Sequence, residues 1–533
     1  MESYKSPNKW LVTGAVMSGG LMAALSTSIV NVALPNMSGA LSASIEEITW
    51  VSTAYLLANV IVMPIIALLS AKFGRKRFYV FSMAIFTVFS IFCGIAWNLT
   101  SMIIFRIIQG FGGGTIIPLS QAILLETFPK EEQGTAMGIF GLGVIGGPAF
   151  GPTLGGWLVD NYSWSWIFYV NVPVGILCIL LIMRLIEDPP YLVREKQKLD
   201  ALGLFFMSVG LGALQVMLEK GEQWDWFGSG MIRGLAVAAF VGLALFAIRE
   251  LTTDSPAVNL RIFRDINFSS GSFLAGIHNV GLYSSLFITP LLLQRLLDYP
   301  AYNSGLALMP RGLTMALAMP VGGWIYNRIG ARLMVGFGFF VNAISFYALS
   351  RLSLDIGYWN IFFPQALQGI GFGFIFVALS TSTLSTVEKP LLTAASGLYN
   401  VTRQVFASVG IALAATFLTR GEMRYHAILV EHVTNYSDIV MSMIEQFGQR
   451  VFISGKGITG TGMEAIGLLE GVVAKQAAML AYNHVFFLIC ILYLLSIPLV
   501  FLIKDEQRGI LTRLLTYKNW RSIWMTLWKR EQG

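Results

Sequence analysis

Arg106, Arg311, Arg403 and His278 stand well inside long apolar runs of this 533-residue chain. An ionisable side chain at the centre of a bilayer costs about 2.5–3.5 kcal/mol on insertion scales, so each is a functional candidate. Arg106 opens the run Arg106-x-x-Gln109-Gly110; a structural arginine bonded to backbone carbonyls is the competing reading. Arg403 could meet an anionic substrate group or be structurally paired, and Arg311, after Pro310, could be locked to a cavity wall. An imidazole titrates at about pH 6.5, so His278 can exchange protons near neutrality. The alternative is a core histidine hydrogen-bonded to a neighbour.

Proton coupling needs a group that changes charge, and arginine stays protonated. No Asp or Glu lies near the middle of any apolar run; Glu126 and Glu219 sit at ends. His278 is therefore the expected titrating group, with Glu126 in reserve and Arg106 tuning a neighbour. Asn31, Trp50, Thr53, Gln109, Gln121, Gln294, Gln365, Gln368, Asn400, Arg403 and Gln404 are the polar and aromatic groups expected to line a central cavity. Some of them must instead form interhelical hydrogen bonds, worth about 0.6 kcal/mol each.

Enzyme chemistry has no comparable signature. HExxH, GxSxG and His-x4-Asp are all missing, and the four histidines are scattered. Cys93, Cys178 and Cys490 lie in apolar runs and offer neither a disulfide framework nor metal-ligand spacing. No cofactor and no metal is expected. The glycine-rich Gly455–Gly462 stretch lacks GxxxxGK[ST], which argues against a nucleotide loop.

The elements that position these groups follow from composition. Hydrophobic residues make up 55% and charged residues 12%, with mean hydropathy +0.67. A soluble domain carries roughly twice that charged fraction. Apolar runs long enough to span recur throughout, so an all-α, multi-pass membrane protein is expected. The first run is about 22 residues and another follows, which reads as an anchor and not a cleaved signal. Fourteen spans are counted: about 11–33, 48–70, 78–97, 101–124, 134–158, 166–185, 200–219, 231–249, 268–293, 303–326, 333–351, 358–384, 391–419 and 481–503. With both termini on one side, that side's loops and tails hold 24 Lys and Arg, against four in the short loops opposite. The asymmetry makes the termini cytoplasmic. It also accounts for the net charge of +7 without nucleic acid.

The chain repeats itself. Arg106-x-x-Gln109-Gly110-Phe111-Gly112 recurs as Gln365-x-x-Gln368-Gly369-Ile370-Gly371, displaced by 259 residues. The loop Ala71-Lys72-Phe73-Gly74-Arg75-Lys76 recurs as Asn327-Arg328-Ile329-Gly330-Ala331-Arg332, displaced by 256. Two parallel six-helix units are implied, with spans seven and eight inserted between them. Such duplicated bundles rock around a site near the bilayer midplane. The domains expected are 1–186, a linker with two extra spans 187–267, 268–503 with an outer loop 420–480, and an amphipathic tail 504–533. In that tail Trp520, Trp524 and Trp528 recur at helical spacing, as in an interfacial helix.

Gly143, Gly147, Gly151 and Gly155 fall every fourth residue, with Pro148 and Pro152 one position on from two of them. A seam without side chains lets a neighbouring helix approach closely. Two prolines bend the rod. A smooth, bent helix suits rocking; a fixed, close-packed helix pair is the alternative.

The stretch Gly147-Pro148-x-x-Gly151-Pro152-x-x-Gly155-Gly156 resembles the fifth-helix antiporter motif of the major facilitator superfamily. Leu25–Pro35, Trp50–Tyr55, Trp164–Pro173, Asn400-x-x-Arg403-Gln404 and Lys475–Tyr482 are similar to signatures of its fourteen-helix drug:proton antiporter branch, the EmrB/QacA type. Residues 67–77 look like its inner-loop gate. The resemblance implies the major facilitator fold and a secondary exporter of amphipathic compounds or drugs, working as a proton antiporter by alternating access. A dedicated lipid or metabolite exporter, or a non-transporting scaffold, is the alternative. It further implies proton movement through Arg106 and gating at Gly74, Arg75 and Lys76. It implies an inner-membrane location and, in a two-membrane host, a periplasmic adaptor on 420–480. The signature's usual aspartate is Ser26 here.

Overall fold

The computed structural model describes residues 8–188, 200–253, 256–434, 438–453 and 458–504. The tryptophan-bearing tail beyond 504, the basic residues Arg194, Lys196 and Lys198, and Gly455–Gly457 lie outside them.

Among the described residues, thirteen helices are long and apolar enough to cross a membrane. Those of the first half are α1 Lys9–Ala40, α2 Glu46–Phe73, α3 Arg75–Gly94, α4 Leu99–Thr127, α5 Gln133–Asn161 and α6 Trp166–Leu185. The inserted pair is α7 Ala201–Lys220 and α8 Gly230–Thr252, and α9 Ile266–Leu296 opens the second half. After it come α10 Ala301–Ile329, α11 Ala331–Leu349, α12 Tyr358–Ser385 and α13 Lys389–Val430. A shorter helix, α14 Asp438–Ile453, precedes the last span, α15 Met463–Leu502. α10 is as long as the others but is not among the thirteen, being less apolar; it carries Arg311, Asn327 and Arg328 and covers the expected span 303–326. Among the described residues there is no strand. The architecture is two six-helix bundles with α7 and α8 between them.

Local chemistry sets the helix ends. Ser44 and Glu47 form a reciprocal capping box at the start of α2, and Asn98 caps α4 through the Ser101 amide. Gly74 and Gly330, repeat-related, adopt φ 87° and 82° where α2 turns into α3 and α10 into α11. Only glycine enters that left-handed region at little cost.

The last long helices exceed the span lengths expected. α13 has 42 residues and α15 has 40, each about 60 Å long at 1.5 Å per residue. The hydrocarbon core is only about 30 Å thick, so both continue well beyond it. Hydropathy marks where the apolar part stops, and helical hydrogen bonding continues regardless. Gly421 seats against Ala481, while His426 Nε2 and Glu470 Oε1 are 2.6 Å apart. Ala481 of the Lys475–Tyr482 motif thereby packs α15 against α13, while Lys475 pairs with Asp298 after α9.

Candidate functional site

The halves meet directly at the end of the bundle that carries Arg75 and Lys76, here termed the basic end. Gly134 of α5 faces Gly323 of α10, and Gly138 rests on the carbonyl of Met319. Across the pseudo-twofold, Gly397 of α13 rests on the carbonyl of Met63 in α2. Side-chain bonds lock this closure. Ser396 Oγ donates to Pro118 O at 2.7 Å, and Asn400 Nδ2 donates to Gln121 Oε1 at 2.6 Å. Beyond that latch, a cleft of about 510 Å³ lined by Gln133, Asn327, Thr381 and Ser385 opens at the basic end.

One helical turn further from the basic end, Arg403 forms the next layer. Its guanidinium lies 4.9 Å from the Phe376 ring and 5.6 Å from Tyr399, with Nη1 3.5 Å from Asn400 Oδ1. It is half-buried, and no carboxylate among the described residues pairs with it. Gln404 beside it is also half-buried.

Arg106 is enclosed at 1% exposure. Nε donates to Val51 O at 3.1 Å, and Nη1 to Ser26 Oγ at 3.2 Å and Gln109 Oε1 at 2.7 Å. Tyr55 and Phe168 cover its faces at 4.2 and 5.7 Å. The Trp164–Pro173 motif therefore supplies part of the arginine's box. The second half builds a counterpart: Arg311 Nη1 donates to Ser285 Oγ at 3.0 Å, and Ser285 donates to Gln368 Oε1 at 3.1 Å. Ser26 and Ser285, like Gln109 and Gln368, are related by the 259-residue displacement. The arginine comes from α4 in one half and α10 in the other, so the repeat preserves the receptor and not the cation. That Ser–Ser correspondence was the sequence signal available for these boxes.

Other expected residues scatter. Gln109 also donates to Ser90 Oγ at 2.7 Å, inside the first bundle. Asn31 is exposed and accepts from Ser52, and Gln294 is exposed and donates to Ser304. Trp50 lies 5.6 Å from the Lys220 ammonium, and Thr53 is buried nearby. Gln365 is fully buried with both amide atoms unpartnered. His278 is 1% exposed, edge-on to Phe372 at 5.4 Å, and neither ring nitrogen has a partner. Tyr493 donates to its backbone carbonyl, closing an aromatic core around it. Glu126 Oε2 is 2.5 Å from Arg75 Nη1 with both side chains buried, and Asp188 accepts from the Lys76 amide at 2.7 Å. Breaking such a buried pair costs about 3–5 kcal/mol.

The glycine seam packs within one half. Gly143 meets Met17, Gly147 meets Ala24, Gly151 meets Ser28 and Gly155 meets Ile29, all on α1. Ser28 Oγ donates to Gly147 O at 3.0 Å. Pro148 is half-buried, Pro152 is exposed, and Gly156 has only Val32 nearby. The contact between halves uses Gly134, Gly138 and Gly141 of the same helix, glycines that the spacing argument did not single out.

Comparison with known proteins places these arrangements in context. The Major Facilitator Superfamily profile matches residues 16–411. Fatty acid resistance protein FarB of Neisseria gonorrhoeae is 33% identical, over 91% of this chain and 94% of its own. Multidrug export protein EmrB of Haemophilus influenzae is 36% identical, over 90% and 92%. EmrB of Escherichia coli K12 is 32% identical, over 93% and 95%. A solved structure, the human organic anion transporter MFSD10, superposes with TM-score 0.57 at 13% identity, covering 92% of this chain and all of its own, a likeness of fold. The chain belongs to the Major Facilitator Superfamily, among its EmrB-type members.

Proposed function

We propose that this chain is a proton-driven secondary exporter that takes amphipathic organic anions. One observation carries the anionic preference: Arg403, half-buried and without a carboxylate partner among the described residues, sits next to the Asn400–Gln121 latch. Phe376 and Tyr399 flank its charge with aromatic surface. A cation framed by apolar walls fits an anionic head group on an apolar body. Relatives named for multidrug export and fatty acid resistance support an amphipathic cargo. The protein is a transporter and not an enzyme.

The excess of Lys and Arg at the basic end orients it to the cytoplasm of the cell's inner membrane, termini included. In that orientation the closed latch makes this an outward-facing state. Residues 1–186 and 268–503 are the rocking units, with 187–267 as linker. Where the host has two membranes, the extensions of α13 and α15 with α14 are the dock for a periplasmic adaptor.

Flux into proteoliposomes under an imposed pH gradient tests the reading, with taurocholate as the anionic probe and ethidium as the cationic one. Gradient-driven accumulation of taurocholate in preference to ethidium is expected. Absence of gradient-driven flux for both probes would refute the exporter reading.

A further inference from the structure

We infer that Arg311, Gln365 and Gln368 of the second bundle form a buried site for a small inorganic anion, chloride being the species that fits. The inference stands independently of the exporter reading. It starts from a mismatch between the two arginine boxes. Arg106 meets three acceptors, Val51 O, Ser26 Oγ and Gln109 Oε1, and two aromatic rings cover its faces. Arg311 is 6% exposed, yet its one hydrogen-bond partner among the described residues is Ser285 Oγ, 3.0 Å from Nη1. No carboxylate among the described residues pairs with it. Moreover, α9, α10, α11 and α12 contain no Asp or Glu at all. A guanidinium taken out of water without a counter-charge is strongly destabilising.

The repeat shows how the deficit arises. Arg311 stands where the first half has Tyr55, 256 residues earlier, and Gln365 stands where it has Arg106, 259 residues earlier. A side chain at Gly110 would meet Tyr55 O, and one at Gly369 would meet Arg311 O, which fixes that register. In the second half the cation therefore comes from α10, and an amide fills the place of the first arginine. Gln368, one turn after Gln365 on α12, reaches the arginine through Ser285. That hydroxyl accepts from Arg311 and donates to Gln368 Oε1 at 3.1 Å, with Thr289 Oγ1 3.3 Å away. Both amide atoms of Gln365 and the Nε2 of Gln368 are buried without a partner.

What the cluster holds in excess is N–H donors, from one guanidinium and two primary amides. What it lacks is negative charge. An arginine carries five N–H groups and no acceptor, and its bonds to an anion are stronger than those to a neutral oxygen. Both glutamines are 0% exposed, so the apolar body of an amphipathic cargo does not fit and the ligand is a compact ion. Arg311 is ten residues into α10 and Gln365 seven into α12, both counted from the end opposite the basic end. At 1.5 Å per residue that is about 10–15 Å from those helix ends, so water on that side supplies the ion.

The test measures binding of radiolabelled chloride to the full chain in detergent, and thermal unfolding in sodium chloride against sodium gluconate at equal ionic strength. The parent should bind chloride and unfold at a higher temperature in it, because an ion held only by the folded state stabilises that state. Arg311→Gln should lose at least tenfold in chloride affinity and unfold at the same temperature in both salts. In gluconate it should match or exceed the parent, whose guanidinium there has no counter-ion. Arg106→Lys, in the box already furnished with acceptors, should keep the chloride response. Should Arg311→Gln not fold, Arg311→Lys decides: weakened chloride binding supports the site, and parent-like binding overturns it. A parent that binds no chloride and unfolds alike in both salts would overturn the inference, as would parent-like chloride binding in Arg311→Gln.

Discussion

Gly138 and Gly397 are repeat-equivalent, 259 residues apart, and each seats its α-carbon on a carbonyl of the opposite half, Met319 and Met63. A side chain at either position would occupy the space of that carbonyl. The closure at the basic end therefore depends on both residues having none.

Gly138→Leu and Gly397→Leu should wedge this closure. Overpacking costs about 1–3 kcal/mol, which corresponds to a population shift of roughly 5–150-fold towards the opposite state. Spin-label distances across α5 and α10 should lengthen at the basic end. Gly151→Leu, which wedges α1 and α5 inside one half, should instead lower the unfolding temperature and leave the distance distribution of the surviving protein unchanged.

The enclosure of Arg106 predicts a stability effect. Arg106→Ala leaves Val51 O, Ser26 and Gln109 short of a donor, at about 1–3 kcal/mol per unsatisfied group. Thermal unfolding in detergent should fall well below the parent. Arg106→Lys keeps the charge but loses the planar fork, so it should fall between. Ser26→Asp should pair with Arg106 and leave ethidium transport unchanged, because position 26 is buried behind the guanidinium.

His278→Gln tests the expected proton carrier. The ring is packed against Phe372 and bonds to nothing through either nitrogen. A ring walled off in this way has no exchange partner, so pH-driven taurocholate accumulation should persist in His278→Gln. Accumulation lost with downhill flux intact would return coupling to the histidine.

The projecting helices predict capture of an adaptor. Cysteines placed at 441 and 468, on α14 and α15, should cross-link to a co-expressed periplasmic adaptor and raise the complex's apparent mass. Cross-links confined to this chain would make the extension a lid.

Much of the fold was legible in the sequence because hydropathy and repetition are long-range signals that average over many residues. The Arg106 box was not: its acceptors come from α1, α2 and α4, and spacing along one helix does not show which neighbours converge. The glycines show the same limit. Gly138 and Gly147 look alike as small residues, yet one meets the other half and the other meets α1.

The central claim is that Arg403 holds the anionic head group of the cargo, and paired-probe transport with charge-changing variants tests it most directly. Arg403→Lys should retain pH-driven taurocholate accumulation at reduced affinity. Arg403→Gln should lose at least tenfold in taurocholate accumulation while ethidium transport stays level or rises. Taurocholate accumulation in Arg403→Gln equal to the parent's would contradict the account.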